Sequence, residues 1–327
     1  MRVLVLEKPF QLATFHASIG GKARRNSGRV MTFSSERRLH RRAILTAGAC
    51  ALIAPAFGAP AAAAAAAASA TIRFGLTPVF LTNDLELLGR LQSYLQRATG
   101  HPVELITRRT YQEITTLLTT GQLDAAWICG FPYVAHRAEL QLVAVPLWHH
   151  KPLYQSYLIV DRDRKGSGIL DLRGDIHAFS DPDSNSGFLV TRAALAERGL
   201  KPETFFVKTF FTYAHRDVIR AVASGLAGSG SVDVYIYDVV AEIDPDLTRD
   251  ARVLRASEWL GFPPIAAPKA PIDQVRLKVF TKALWEMDGD EEGRAVLKML
   301  RLDGFGAEDT ASFDAIAAKA ALVAASG

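Results

Sequence analysis

The stretch DIHAFSDPDSNSGFLV, residues 175 to 190, carries the strongest structural signal in the chain. Its first seven residues predict a strand, and residues 187 to 198 predict a helix. Ser184, Asn185 and Ser186 lie between the two, where the free N–H groups of a first helical turn and the helix dipole favour an anion. An ordinary helix cap explains the same three residues.

The sequence on either side of this stretch alternates short apolar runs with helical periodicity. Further strands are predicted at TIRFGL (71–76), PVELIT (102–107), DAAWIC (124–129), FFVKTFF (205–211) and VDVYIYD (232–238). Helices are predicted between them, among others at residues 111–120 and 215–224. This alternation is typical of an α/β fold in which helices cover a mainly parallel sheet.

Two sets of strands and helices, followed by a C-terminal stretch that rejoins the first set, predict two lobes. We place lobe 1 at residues 71–158 plus 257–327 and lobe 2 at residues 159–256. Ligands of open α/β sheets bind outside the carboxyl ends of the strands. The segments that follow the predicted strands are therefore the candidate ligand contacts, in a cleft between the lobes.

Residues 1–70 are expected to be an export leader that is removed. Met31 is the expected start of a signal whose basic region ends in Arg41 and Arg42, whose apolar core runs from residue 43 to about 57, and whose small-residue cleavage site lies near Ala70. The arginine pair is typical of the twin-arginine route, and the mature protein is expected in the periplasm. A membrane anchor is the alternative, but the apolar core is shorter than the roughly 20 residues that a bilayer requires.

Removal of this leader changes the charge balance of the chain. The leader holds 10 of the 38 basic residues and 2 of the 34 acidic ones, which leaves 28 against 32. A mildly acidic mature protein gives no support to nucleic-acid binding.

The order of motifs resembles one family of proteins. DIHAFSDPDSNSG, FFTYAHRDVIRAVASG (210–225) and SVDVY (231–235) are similar to the second lobe of the periplasmic proteins that bind phosphonate, phosphite or phosphate for ABC importers. TYQEITTLLTTGQLDAAW (110–127) and LYQSYLIV (153–160) are similar to their first lobe. The resemblance covers nearly all of residues 71–265 and implies a two-lobed periplasmic-binding-protein fold of type II.

The resemblance also implies ligand-binding roles for individual residues. Ser184, Asn185 and Ser186 match the loop that holds the oxygens of the anion, with asparagine in a place often taken by threonine. The other matching positions are Tyr111 in the first lobe, Tyr154 near the crossing between lobes, His215 in the second lobe and, with an uncertain register, Asp233.

Cys129 departs from the phosphonate binders and resembles a branch of periplasmic arsenite sensors. Arsenite is neutral at pH 7, so an As–S bond would supply affinity that phosphate cannot use. We expect a partly accessible sulfur at the end of its strand, as a thiolate favoured by Arg109 or His215. A buried thiol that acts as a small hydrophobe is the alternative.

The resemblance implies a binding protein without a cofactor, not an enzyme. Its partners would be a small oxyanion and either a membrane permease or a sensor histidine kinase, and a monomer is the expected state. The alternative is a hydrolase that uses Ser184 or Ser186 with His215 and Asp233. No G-x-S-x-G turn supports that alternative.

Overall fold

The computed structural model describes residues 70–78, 84–271 and 273–326, all of which belong to one compact unit. The strands are β1 (Ile72–Leu76), β2 (Val103–Thr107), β3 (Ala125–Trp127), β4 (Leu140–Leu147), β5 (Leu153–Tyr154), β6 (Ser156–Asp161), β7 (Ile176–Phe179), β8 (Lys208–Phe211), β9 (Ser229–Asp233), β10 (Ala251–Ala256), β11 (Leu260–Gly261), β12 (Ile265–Pro268) and β13 (Gly304–Gly306). The helices are α1 (Leu85–Thr99), α2 (Tyr111–Thr119), α3 (Gly130–Ala135), α4 (Val190–Ala196), α5 (Pro202–Phe205), α6 (His215–Ala223), α7 (Val234–Ile243), α8 (Pro245–Thr248), α9 (Gln274–Trp285), α10 (Glu291–Leu300) and α11 (Asp314–Ala325). A π-helical turn (Asn185–Leu189) precedes α4, and short 3-10 turns lie at Ile169–Leu172, Met287–Gly289 and Thr310–Phe313.

A six-stranded sheet has the strand order β13-β4-β12-β3-β1-β2. Its strands β1, β2 and β3 are parallel, so their carboxyl ends meet at one edge. Helix α2 begins there because Thr110 and Glu113 form a reciprocal capping box. This edge places Tyr111, at the start of α2, close to Cys129, which follows β3.

A five-stranded sheet has the order β10-β6-β9-β7-β8, with β7 parallel to both β8 and β9. It begins at Ser156 and ends at Ala256 along the chain. The segments that cross between the sheets pair as β5 with β11, and the backbone N–H of Ser156 donates to Ser257 Oγ over 2.9 Å. Our division of the chain into lobes stays a prediction.

The predicted strand at residues 232–238 is wrong in its second half. Strand β9 ends at Asp233, and helix α7 follows directly. The side chain of Asp233 accepts a hydrogen bond from the N–H of Tyr235 over 2.8 Å, which caps the helix. An apolar run of this length fits either a buried strand or a buried helix, and the cap decides between them.

The predicted strand at residues 205–211 is also too long. Helix α5 occupies its start because Pro202 stands in the first helical turn, and strand β8 begins only at Lys208.

The export leader predicted at residues 1–70 lies outside the described residues, apart from Ala70. Among the residues that are described, no helix is both long and apolar enough to span a membrane.

Candidate ligand-binding site

All eight side chains predicted to bind ligand are buried where the two sheets meet. They are Tyr111, Cys129, Tyr154, Ser184, Asn185, Ser186, His215 and Asp233, and each is at most 2% exposed. Elements far apart in the sequence bring them together, as the contacts below show. Their roles in binding stay predictions.

The loop that carries the three polar residues is a tight helical entry. Ser184 caps it, since its hydroxyl accepts the N–H of Gly187 over 2.9 Å. The ordinary capping role considered for this run therefore holds for Ser184. A Cβ at Gly187 would lie 1.8 Å from Ser180 Oγ and 3.0 Å from His215 Cε1, so only glycine fits here.

His215 is held in one tautomer by its neighbours. Its Nδ1 lies 3.2 Å from the backbone N of Asp233, which can only donate, so the ring hydrogen is on Nε2. Nε2 lies 3.3 Å from the hydroxyl of Tyr111, whose helix follows β2 of the six-stranded sheet. Burial lowers the pKa of His215 to about 3. The ring is therefore a neutral donor that faces the hydroxyl of Tyr111.

Cys129 is in direct contact with the polar loop. The N–H of Asn185 donates to Cys129 Sγ over 3.2 Å, and Asn185 Nδ2 donates to the hydroxyl of Tyr154 over 2.8 Å. Asn185 thus connects the thiol to the crossing strand. A second link between the sheets is the carboxylate of Asp181, which accepts the N–H of Tyr111 over 3.2 Å.

The predicted accessible thiolate is wrong for this structure. The sulfur is buried, because the loop at Asn185 packs directly on it. Burial raises the pKa of Cys129 to about 11, and the hydrogen bond from Asn185 offsets this only in part. Arg109 is exposed and His215 is neutral, so neither favours the thiolate.

The described residues give the site no charged donor. Among the described residues, no arginine or lysine hydrogen bonds with any of the eight side chains. Burial raises the pKa of Asp233 to about 7, against the opposing effect of N–H groups of α7 and of the Ser186 hydroxyl. Burial also raises the pKa of Tyr111 and Tyr154 well above the ordinary value for tyrosine.

Three buried polar atoms at the site have no hydrogen-bond partner among the described residues. They are Ser180 Oγ, Asn185 Oδ1 and Ser186 Oγ. Ser186 Oγ lies near enough to Asp233 to influence its pKa, but without the geometry of a hydrogen bond. Unpartnered polar atoms are uncommon in protein interiors, and their concentration here marks a place for a polar ligand.

The geometry does not support the hydrolase alternative. His215 Nδ1 contacts the backbone of Asp233 and not its carboxylate, which caps α7 instead. His215 Nε2 contacts Tyr111 and no serine of the described ranges. A Ser-His-Asp relay needs the serine and the carboxylate on opposite nitrogens of the ring.

Two serines at the site were not identified from the sequence. Ser156 Oγ donates to the carbonyl of Ser186 over 2.6 Å and so supports the loop from the crossing strand. Ser180 follows β7 directly and lies beside Gly187. No local pattern distinguishes either serine from a surface one, since only the tertiary fold brings them to the loop.

Comparison with known proteins defines the fold and then the family. A binding protein component of an ABC phosphonate transporter from Pseudomonas aeruginosa superimposes with a TM-score of 0.72, at 19% identity, over 79% of this chain and 89% of that one. PhnD1 from Prochlorococcus marinus in complex with methylphosphonate gives 0.69 at 17% identity, over 77% of this chain and 97% of that one. The predicted two-lobed binding-protein fold of type II is confirmed.

The family assignment rests on sequence. Residues 74–313 match the model of the family described as "ABC transporter, phosphonate, periplasmic substrate-binding protein", and the chain belongs to this family. The phosphate-import protein PhnD of Mycolicibacterium smegmatis is 28% identical over 204 residues, which are 57% of this chain and 64% of the relative. Membership in a family of substrate-binding proteins agrees with the prediction of a binding protein rather than an enzyme.

Proposed function

We propose that this chain is a periplasmic solute-binding protein that closes on a small oxyacid and passes it to the permease of an ABC importer. The favoured specific ligand is arsenite, held through Cys129. The observation that carries this proposal is the meeting of a thiol and a polar loop from opposite lobes, with Cys129 Sγ 3.2 Å from the N of Asn185. The relatives named for phosphate import and for methylphosphonate support the general class of oxyacid ligands.

The charges of the site favour a neutral ligand. The described part of the chain supplies no arginine or lysine to these side chains, His215 is neutral, and Asp233 is a buried carboxyl group. A dianion placed beside a buried carboxylate would meet repulsion in a medium of low dielectric. Arsenite carries no charge at neutral pH and avoids that repulsion.

The neutral thiol suits this ligand. Arsenite can exchange one hydroxyl for the sulfur: an As–S bond forms, one As–O bond breaks, and the thiol proton leaves with the hydroxyl as water. Arsenic stays trivalent, and no net charge is buried. The raised pKa of Cys129 therefore does not oppose binding, although it slows attack because the thiolate is the better nucleophile.

Closure of the lobes would be driven by contacts that both lobes make at once. The present contacts across the sheets, from Tyr111 to His215 and from Asn185 to Cys129, show that the two sides come within hydrogen-bonding distance. A ligand bound there would replace them with its own oxygens. The ligand would favour the closed state because it binds that state more tightly than the open one.

The test is a thermal unfolding series with arsenite, phosphate, phosphite, methylphosphonate and sulfate. We expect arsenite to raise the melting temperature most, since a ligand at about 100 times its Kd stabilises by about 2.7 kcal/mol. If no member of the series shifts the transition, the proposal is wrong.

Cys129 also supports a second role, as the ligand-binding partner of a sensor histidine kinase. A reversible covalent bond releases its ligand slowly, which suits signalling better than delivery. Deletion of the gene separates the roles. Loss of oxyacid uptake would support the importer, and loss of an arsenite-dependent transcriptional response with unchanged uptake would support the sensor.

A further inference from the structure

The side chain of Asn185 has one atom that the structure leaves unused. Its backbone N–H donates to Cys129 Sγ, and its Nδ2 donates to the hydroxyl of Tyr154. Its Oδ1 is buried and accepts no hydrogen bond. This carbonyl oxygen therefore offers lone pairs beside the sulfur proposed to hold the ligand.

Asp233 offers a second acceptor in the same cluster. One carboxylate oxygen accepts the N–H of Tyr235, and the whole side chain is buried. The hydroxyl of Ser186 lies close by, without a hydrogen-bond partner. In the described part of the chain, no arginine or lysine hydrogen bonds to Asn185 or Asp233. Asn185 Oδ1 therefore has no donor there, whereas the Asp233 carboxylate already receives N–H groups of α7.

We infer that Asn185 Oδ1 and the Asp233 carboxylate form an acceptor pair that selects oxyacids which still carry O–H groups and rejects fully ionised ones. This inference rests on the proposed function of the site and names the ligand's protonation state. A ligand without O–H groups would set its oxygen lone pairs against those of the acceptor pair and would leave Asn185 Oδ1 unsatisfied in the interior, which is costly.

The number of hydrogens fits the proposed ligand. After arsenite exchanges one hydroxyl for Cys129 Sγ, two O–H groups remain on arsenic. The acceptor pair provides one oxygen for each. His215 Nε2, a donor at the site, can then donate to a hydroxyl oxygen.

Sulfate and phosphate separate this selection from thiol chemistry, because neither forms a bond to Cys129. The two ions have nearly the same shape and size. At pH 7 phosphate carries at least one O–H group and sulfate carries none. We expect phosphate to compete with arsenite about tenfold or more better than sulfate does.

The variant that tests the pair is Asp233→Asn. Asparagine caps helices as well as aspartate does, so α7 should keep its start. The change removes the charge and offers an amide N–H beside the ligand. We expect arsenite affinity to fall about tenfold, and the preference for phosphate over sulfate to disappear.

Asn185→Thr, which removes the carbonyl but keeps the backbone N–H bond to Cys129, should also lower arsenite affinity about tenfold.

Asp273→Asn is the matched control. Asp273 caps α9 by accepting the N–H groups of Val275 and Arg276 over 2.9 and 3.0 Å, and it is not among the site residues. Calorimetric titration of this variant should give the affinities of the unchanged protein.

The outcomes distinguish the two claims. If arsenite binds through Cys129 but Asp233→Asn and Asn185→Thr bind it as tightly as the unchanged protein, the acceptor pair is wrong and the proposed function stands. The same holds if sulfate competes as well as phosphate. If arsenite does not bind the unchanged protein, both claims are wrong.

Discussion

Two buried histidines, His177 and His215, both have a strongly lowered pKa but very different surroundings. Burial lowers the pKa of both His177 and His215 to about 3. His177, on β7, has each ring nitrogen 2.8 Å from a serine hydroxyl, of Ser229 and Ser231. Ser231 in turn lies 2.7 Å from the hydroxyl of Thr191, so this network is complete.

The surroundings of His215 are incomplete by comparison. Its Nε2 has one long contact, to Tyr111. Two other polar atoms of the same site, Asn185 Oδ1 and Ser186 Oγ, have no partner among the described residues. His177, in contrast, stacks on Phe206 with the ring planes 20° apart. A satisfied polar network stabilises one structure, whereas an unsatisfied one is costly unless a ligand completes it. The two histidines are alike in burial and in pKa. They differ in whether the polar atoms around them all have hydrogen-bond partners.

The largest effect on ligand binding is expected from Gly187→Ala. This variant tests how tightly the loop packs beside His215. The new methyl group would overlap Ser180 Oγ and crowd His215, so the loop must move. We expect arsenite affinity to fall on the order of 100-fold and the free energy of unfolding to fall by about 1 to 3 kcal/mol. Titration and urea unfolding measure both.

Gly89→Ala is the matched control, since a Cβ there meets nothing within 4 Å. In the middle of α1 it should stabilise by about 0.5 to 1 kcal/mol and leave binding unchanged. Equal arsenite affinity in Gly187→Ala and the unchanged protein would mean that this loop does not hold the ligand.

His177→Leu tests the complete network. The change leaves the hydroxyl of Ser229 without its partner and breaks the link to Ser231, so we expect a loss of about 2 to 4 kcal/mol in the free energy of unfolding. Arsenite affinity, measured where the variant is folded, should change less than about threefold. If His177→Leu lost arsenite affinity without losing stability, His177 would have a binding role like the one proposed for His215.

His215→Asn should show the opposite pattern. The amide oxygen of asparagine can replace Nδ1 as the acceptor for the N–H of Asp233, while the Nε2 donor is lost. We expect about a tenfold loss of arsenite affinity and a stability change below about 1 kcal/mol. Unchanged affinity would assign His215 a structural role like that of His177.

The smallest effect concerns the pH dependence of stability. The folded pKa of Asp233, about 7, lies above its unfolded value near 3.9, so the folded state holds the proton more tightly. This group's stabilising contribution is therefore present at low pH and is lost as pH rises from about 4 through 7. Relative to Asp233→Asn, the unchanged protein should lose roughly 1 kcal/mol between pH 6 and pH 8.

Urea unfolding of both proteins across this range measures the difference. The two histidines are present in both proteins, so their opposite effect cancels. A difference that is independent of pH would contradict the raised pKa.

The sequence predicted local secondary structure better than the tertiary contacts that bring distant residues together. The run at residues 184–186 was recognised as a helix start, and the α2 and α6 helices were placed within one residue. Periodicity could not bring Tyr111 to His215, which is 104 residues away, and only the family resemblance suggested that both face one ligand. The wrong strand at residues 232–238 shows that a short apolar run does not identify its own secondary structure.

Burial of the thiol could not be predicted for a related reason. The loop at Asn185, which follows a strand of the five-stranded sheet, packs against Cys129 after β3 of the six-stranded sheet and buries the sulfur. The polarity around Cys129 depends on residues from both sheets, so no single segment of the sequence predicts it.

The most direct test of the central claim is calorimetric titration of the unchanged protein and of Cys129→Ser with arsenite and with phosphate. The serine oxygen can accept the N–H of Asn185 in place of sulfur, so stability should change by less than about 1 kcal/mol. We predict that the variant binds arsenite on the order of 100-fold more weakly and binds phosphate as before. Equal arsenite affinity in the two proteins would contradict the role of Cys129 and leave phosphate and phosphonates as the ligands.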